Sequence, residues 1–324
     1  MKAAACAMAA AAWVATAVFA TGERAEHAPL AAKALLLDIA TAGSRWVAVG
    51  DRGIVVLSDD LGRSWHQAES VPTEVLLTSV CFMDARRGIA VGHDETALVT
   101  RDAGEHWQQT HHAPQSQQPL LDVWCDAQGR AIAVGAYSVY FESGDAGTSW
   151  HESKLAPLGR QSRTPDDLGG DPHLNRIVSA SATRFYIAGE AGHLYRSDDG
   201  ATSWMELPSP YEGSFFGVLP LGADSLLAYG LRGHLFQSDD AGLHWRRIET
   251  GTVALLDDAV RLADGRIAVF GLSGTVLVGA GGGESFMLAQ QDDRKGLAAA
   301  LAVAAATVVT AGEGGVKLIG LPRR

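Results

Sequence analysis

Apolar and polar positions along the chain fall into short strands separated by tight turns. Trp46-Val47-Ala48-Val49-Gly50 is followed by Asp51-Arg52 and then by Gly53-Ile54-Val55-Val56-Leu57. Two residues between glycines, flanked by β-branched runs, predict a hairpin. The same glycine pair recurs at Gly189 and Gly192, Gly230 and Gly233, Gly271 and Gly274, and Gly312 and Gly315. In the second and third units the second glycine is replaced by Glu95 and Ser138. An apolar strand precedes each hairpin, such as Leu35-Leu36-Leu37-Asp38-Ile39, and a short polar strand follows it, such as Trp65-His66-Gln67-Ala68-Glu69. Each unit therefore predicts four antiparallel strands in about 42 residues, the content of one propeller blade.

The first glycine of the hairpin marks seven units, at Gly50, Gly92, Gly135, Gly189, Gly230, Gly271 and Gly312. A second marker lies between the third and outer strands of the first six units. Ser58-Asp59-Asp60-Leu61-Gly62-Arg63-Ser64-Trp65 recurs from Thr100 to Trp107, from Ser143 to Trp150 and from Ser238 to Trp245. A variant with Ala201 in the glycine place runs from Ser197 to Trp204, and an eroded copy from Gly279 to Phe286. This is the Asp box. Its aspartates, Asp60, Asp102, Asp145, Asp199 and Asp240, are expected to bond backbone amides of their own turn, and Trp65, Trp107, Trp150, Trp204 and Trp245 to bury between sheets.

One blade cannot cover both of its apolar faces, so seven must stack around an axis. The predicted fold is all-β, a seven-bladed β-propeller of four-stranded antiparallel blades. Its units lie near residues 33–69, 74–110, 119–153, 175–207, 214–248, 255–288 and 296–324. The seventh ends without an Asp box or an outer strand, and residues 26–32 are expected to supply that strand and close the ring.

Composition adds a compartment and removes one class of partner. Lys2 and an apolar run from Ala3 to Ala20 read as a secretory signal peptide spanning residues 1–20, with a retained membrane anchor as the competing reading. The single propeller domain then spans 21–324, in the periplasm or outside the cell. With a net charge of -11 and no basic run, nucleic acid is set aside as a partner. Cys81 and Cys125 occupy matching places on neighbouring core strands, where apolar packing is the preferred reading and a disulfide the alternative.

The Ala-Val-Gly-x-x-Gly hairpin followed by Ser-Asp-Asp-x-Gly-x-Ser-Trp, as from Ala48 to Trp65, resembles the photosystem II stability and assembly factor propellers and their relatives in non-photosynthetic bacteria. The resemblance covers nearly all of the chain beyond residue 20. It implies a non-catalytic scaffold that binds protein partners outside the cytoplasm, without a cofactor. The implied partner is a membrane protein or envelope complex, either a photosystem component or an exporter of the resistance-nodulation-division type.

Asp boxes also occur in sialidases, whose arginine triad and tyrosine nucleophile have no equivalent placement here. The alternative function is a carbohydrate-active or glycan-binding propeller, with paired carboxylates or aromatic platforms at the channel mouth. No catalytic residues and no metal ligands are assigned. The recurrent His193 and His234 follow from repetition, and the adjoining His111 and His112 are not assigned to a metal.

The second-to-third-strand turns and the outer-to-inner loops open on one side of the ring, the Asp boxes on the other. Two irregular segments, within Leu155 to Asn175 and from Pro208 to Gly217, join the variable side. The candidate partner-binding face therefore comprises Asp51, Arg52, His93, Asp94, Tyr137, Arg160, Arg163, His173, Glu190, Tyr211, Glu212, Arg232 and Glu313. Within it, Tyr211 is expected to be exposed and Phe216 buried.

Overall fold

The computed structural model describes residues 24–155, 157–158 and 171–322. The signal-peptide segment 1–20, and Arg160 and Arg163 of the candidate face, lie outside them. Seven antiparallel sheets follow one another around an axis, each with its strands in chain order from centre to rim. Blade 1, for example, comprises Leu36–Ala42, Arg45–Gly50, Val55–Ser58 and His66–Gln67. Blade 4 carries an additional short strand, Pro157–Leu158, parallel to its outer strand Trp204–Glu206. The other inner strands are Leu77–Phe82, Leu120–Cys125, Leu174–Ser179, Phe215–Pro220, Leu256–Arg261 and Leu297–Ala304. Each neighbours the next, and the last returns beside the first.

The core is distributed between blades. Seven apolar clusters of described residues each straddle one interface. This explains why every second strand is apolar throughout rather than alternating. In Arg45–Gly50, Val47 and Val49 pack towards blade 2, whereas Trp46 and Ala48 pack towards blade 7. Both faces of the pleat are covered, so neither set of positions can be polar.

The hairpin glycines answer two separate demands. The first of each pair has an extended backbone, and a Cβ there would collide with the carbonyl just before the inner strand. At Gly50 it would lie 2.2 Å from the Leu35 oxygen, and at Gly271 1.9 Å from that of Leu255. The second has a left-handed backbone and faces the next blade. At Gly53 (φ 67°) a Cβ would sit 2.2 Å from the Thr73 oxygen, and at Gly233 (φ 69°) 2.1 Å from that of Thr252.

The Asp box closes on itself. The Gly62 amide donates to Ser58 Oγ at 2.8 Å, and the Arg63 and Ser64 amides donate to Asp60 Oδ1. Ser64 Oγ donates to the second oxygen at 2.6 Å. In blades 2 and 5 that seventh position is His106 and His244, each with Nδ1 against the box aspartate at 2.8 and 2.6 Å. Hydrogen bonds from the seventh residue hold Asp60, Asp145, Asp199 and Asp240 down to about 2, far below the usual carboxylate range. Blade 4 keeps the geometry with its glycine one place early, because Gly200 and Ala201 both adopt positive φ. Erosion of the sixth box does not cost the blade its outer strand, since Phe286–Gln290 pairs fully with Thr275–Gly279.

Two expectations need correction. Residues 26–32 do not form the outer strand of blade 7, whose sheet has three strands among the described residues. Pro29 has no amide to offer a ladder, and the segment instead crosses to blade 1. There the Gln67 side chain accepts from the Ala28 amide and donates to the Glu26 carbonyl, and the Ala25 amide donates to the Val71 carbonyl. The ring is closed by the Val316 amide donating to Ala32 and by apolar packing of blade 7 on blade 1. The second correction concerns Cys81 and Cys125, which form a disulfide between the inner strands of blades 2 and 3, with Cα atoms 6.1 Å apart.

Two stability predictions follow from these contacts. Trp107 is 5% exposed, packs between blades 1 and 2, and donates its indole N–H to the Gly104 carbonyl. Trp107→Ala is expected to cost roughly 3–5 kcal/mol. The disulfide spans 44 residues, and the double replacement Cys81→Ser with Cys125→Ser is expected to cost roughly 2–4 kcal/mol. Both are read from denaturant unfolding; a loss below about 1 kcal/mol in either case contradicts the assignment.

Candidate binding face and the channel beneath it

The second-to-third-strand turns share one backbone shape, and it presents one side chain per blade. The central residue is left-handed in six blades: Arg52 (φ 51°), Asp94 (56°), Tyr137 (54°), Ala191 (51°), Arg232 (56°) and Ser273 (57°). In all six of those turns the amide of the first turn residue donates to a carbonyl just before the inner strand, as from Asp51 to Leu35 and from Glu190 to His173, and this helps fix the position. A conformation that only glycine adopts without strain is thus held with Arg, Tyr, Asp or Ser at the tip. Side chains vary while the backbone does not.

The candidate residues fall into separate groups around the ring. On blade 1, Asp51 and the largely exposed Arg52 approach to 3.9 Å and line a cleft of 560 Å³ with Glu26 and Glu74. On blade 2, His93 is exposed and Asp94 half-buried; the buried Glu95 beside them lies 3.3 Å from His111 Nε2. Blades 3 and 4 bring together Tyr137, His173 and Glu190. Tyr137 is 56% exposed and meets the His173 ring edge-to-face at 4.9 Å, and the His173 amide donates to Glu190 Oε2. Glu212 and Arg232 are exposed. Glu313 is exposed and accepts from the Gly296 amide at 2.7 Å.

Tyr211 is not exposed as expected. Its ring is half-buried against His234 at 4.0 Å, Phe215 at 6.1 Å and Phe236 at 6.3 Å. The fully buried phenylalanine of the segment is Phe215, with Phe216 half-buried. Phe216 lies in the bulge between Phe215 and Gly217, which shifts the face alternation by one residue and keeps its ring out of the core. Tyr211 thus supports the loop, and Tyr137 is the aromatic side chain this face offers to solvent.

Beneath the face, the inner strands line a polar channel that sequence reasoning missed. All seven inner strands bulge at their second residue, and the residue after it is Asp38, Ser79, Asp122, Arg176, Gly217, Asp258 or Ala299, the last packed in the apolar cluster between blades 7 and 1. Most of these side chains reach the following blade. Asp38 accepts from the Val80 amide at 2.8 Å, Asp122 from that of Ile177 at 2.8 Å, and Asp258 from that of Ala300 at 2.8 Å. Arg176 crosses the ring to Asp258 at 2.7 Å. At Gly217 the space is taken by the Tyr229 phenol.

Burial pushes Asp38 up to about 7 against the pull of Arg176, with the Asp122 charge adding to the rise. Ser79 Oγ lies 2.9 Å from Asp38 and 2.7 Å from Asp122. A hydroxyl has one proton, so both contacts are hydrogen bonds only when one carboxyl is protonated. Asp257, at the bulge itself, is also raised to about 7 by burial, opposed by Arg176 and reinforced by Asp258. For Arg176, burial opposes the charge, but the surrounding carboxylates, Asp258 foremost, outweigh it and hold the guanidinium above its ordinary value.

Seven blades closed by inter-blade packing, with uniform Asp boxes on one rim and variable left-handed turns on the other, define an Asp-box β-propeller with one face free to diversify. Residues 57–205 match the family described as photosynthesis system II assembly factor YCF48. Among solved structures, YCF48 bound to D1 peptide aligns with a TM-score of 0.70 and 17% identity over 92% of this chain and 96% of that one. YCF48 from Cyanidioschyzon merolae gives 0.69 and 14% over 92% and 98%, and the WD40 β-propeller domain of Doa1 gives 0.67 and 13% over 90% and 94%. No curated protein matches the sequence. Over residues 57–205, a little under half of its length, the chain is similar to the photosystem II assembly factor propellers, and the solved structures share its fold.

The channel carboxylates make stability depend on pH in a stated direction. In the folded chain Asp257 holds its proton to about 7, whereas unfolded it releases it near the ordinary value of 3.8. Its cost to folding is absent below that ordinary value and grows as pH rises towards 7. The groups facing it, Arg176 and Asp258, remain in Asp257→Asn. That variant is expected to match wild type near pH 3 and to exceed it increasingly as pH rises towards 7, by up to roughly 3 kcal/mol near pH 8. His234, held low by its own burial, changes stability in the opposite sense but equally in both proteins. Denaturant midpoints at the two pH values check this; a difference independent of pH sinks it.

Proposed function

We propose that the chain is a non-catalytic scaffold whose variable face binds an extended segment of a membrane protein outside the cytoplasm, in the manner of an assembly factor. The carrying observation is the row of left-handed turns, which hold Arg52, Asp94, Tyr137 and Arg232 on one rigid surface while the opposite rim repeats one turn chemistry. The family match and a similar propeller bound to a D1 peptide support a photosystem component as the class of partner, and they do not support the exporter reading. The N-terminal Lys2 and apolar run, with the Cys81–Cys125 disulfide, support an oxidising compartment.

Binding of a synthetic D1 peptide to the purified chain, followed by fluorescence anisotropy, tests the reading. Tyr137→Ala and Arg232→Glu are each expected to weaken it about tenfold with the thermal midpoint unchanged. Wild-type affinity in both variants, or loss of binding on changing exposed residues beside the Asp boxes, places the site elsewhere.

A further inference from the structure

Blade 7 presents a sheet edge whose counterpart is occupied in every other blade. Its strands Leu297–Ala304, Thr307–Gly312 and Lys317–Gly320 have no fourth partner among the described residues. The Val316 and Leu321 amides on either side are bonded to Ala32 and Ala306, but the stretch between them pairs only inward. Its outward-facing Leu318 is 43% exposed. A Cβ on Gly62 would lie 3.7 Å from Leu318, so this edge adjoins the Asp box of blade 1. Trp65 of that box lines a groove of 380 Å³ with Ala28, Pro29, Ala31, Val56 and Gln67.

The junction of blades 1 and 2 shows what fills such a place. The outer strand His66–Gln67 pairs with Val56 and Leu57, and the chain then runs onto the Asp box of blade 2. Ser70 and the box are bonded in both directions, from the Ser70 amide to Glu105 and from the Trp107 amide to Ser70. Ala68 and Val71 cover the Trp107 ring. At the junction of blades 7 and 1, no described residue takes the strand position, and the counterpart tryptophan, Trp65, borders the groove.

We propose that the rim of blade 7 is a second interaction site, which takes one extended strand of a partner polypeptide. The strand runs antiparallel to Lys317–Gly320 and carries an apolar side chain onto Trp65, as Ala68 and Val71 do for Trp107. Backbone hydrogen bonds supply the affinity and the groove selects the side chain. A second copy of the chain is the poorer occupant, since pairing two four-residue edges buries far less than the roughly 1,200 Å² of a stable dimer. The chain's own start is directed elsewhere, because Arg24 bonds to Ser70 and the Ala25 amide to Val71 on blade 1. This site is separate from the variable face and does not rest on the assignment made for it.

The probe is a synthetic peptide with the sequence of residues 64–73, which in the chain itself forms the outer strand of blade 1 and its continuation. Hydrogen exchange of the amides of residues 317–320 is followed as the peptide is added to the full chain. The peptide is expected to bind saturably and slow these amides at least about tenfold. A peptide carrying Val71→Asp, or a protein carrying Leu318→Asp with an unchanged thermal midpoint, is expected to lose about tenfold in affinity. If the latter variant fails to fold, the protection pattern in wild type still decides. No protection at about 1 mM peptide, or protection confined to other blades, overturns the proposal. So does slow exchange in the free protein, which would mean that residues 1–23 already occupy the edge when independent of concentration, and a second copy when dependent on it.

Discussion

The ring depends on how its inner strands satisfy their polar groups near the axis. There, in four blades, the backbone amide that follows the bulge faces the preceding blade and takes its partner from it. Asp38, Asp122 and Asp258 each spend a carboxylate oxygen on such an amide, and Ser79 reaches the Val123 amide at 3.4 Å. An uncompensated amide in such a place would cost about 1–3 kcal/mol. Placing several carboxylates in one narrow channel creates a second problem, their mutual repulsion. Arg176 and the protons retained by Asp38 and Asp257 offset it.

That inner arrangement leaves the two rims of the propeller with different freedoms. On the Asp-box side each turn supplies its own donors and acceptors, so Ser58, Asp60 and Ser64, or Thr100, Asp102 and His106, cannot change independently. On the other side the turn is held by the backbone of adjoining loops. Only the close approaches at the glycines are fixed, and the tip residue is unconstrained by any bond that maintains the fold. Selection for a partner can therefore act on Arg52, Tyr137 or Arg232 without disturbing blade packing. Such divergence fits a fold retained at 17% identity to YCF48.

The blade count and the order of strands were legible because seven glycine marks report a backbone contact that admits no Cβ. The reason for the first glycine was not legible: it is a carbonyl lying 2.2 Å from where the Gly50 Cβ would be, not an unusual φ. Side-chain directions were harder: Tyr211 folds against His234 rather than outward, and Phe216 sits in a bulge that leaves Phe215 as the buried ring. The channel had left a trace that was passed over. Asp38, Asp122, Arg176 and Asp258 occupy one repeat position in strands otherwise apolar, and a charge recurring inside a core strand requires a partner across the ring. The disulfide was undecidable from spacing alone, because matching positions on adjacent blades suit packing as well as bonding.

Closure of the ring without a shared blade is the remaining structural choice, and it has a physical rationale. In a propeller whose last blade borrows a strand from the opposite end of the chain, the termini are tied together and the rim is complete. Here the start of the chain is drawn past blade 7 by Gln67, which clamps the Ala28 amide and the Glu26 carbonyl on blade 1. Apolar contact of Ala299, Val309 and Ala311 with Leu36, Ile39 and Trp46 is what holds the last blade to the first. Because that contact lies on the inner strands, the ring does not rely on a fourth strand at the periphery of blade 7, where none is found among the described residues. An edge strand left open in an otherwise covered rim is a liability to be managed unless something pairs with it, and a short, four-residue edge bordered by Lys317 and Gly320 limits that liability to segments able to match it.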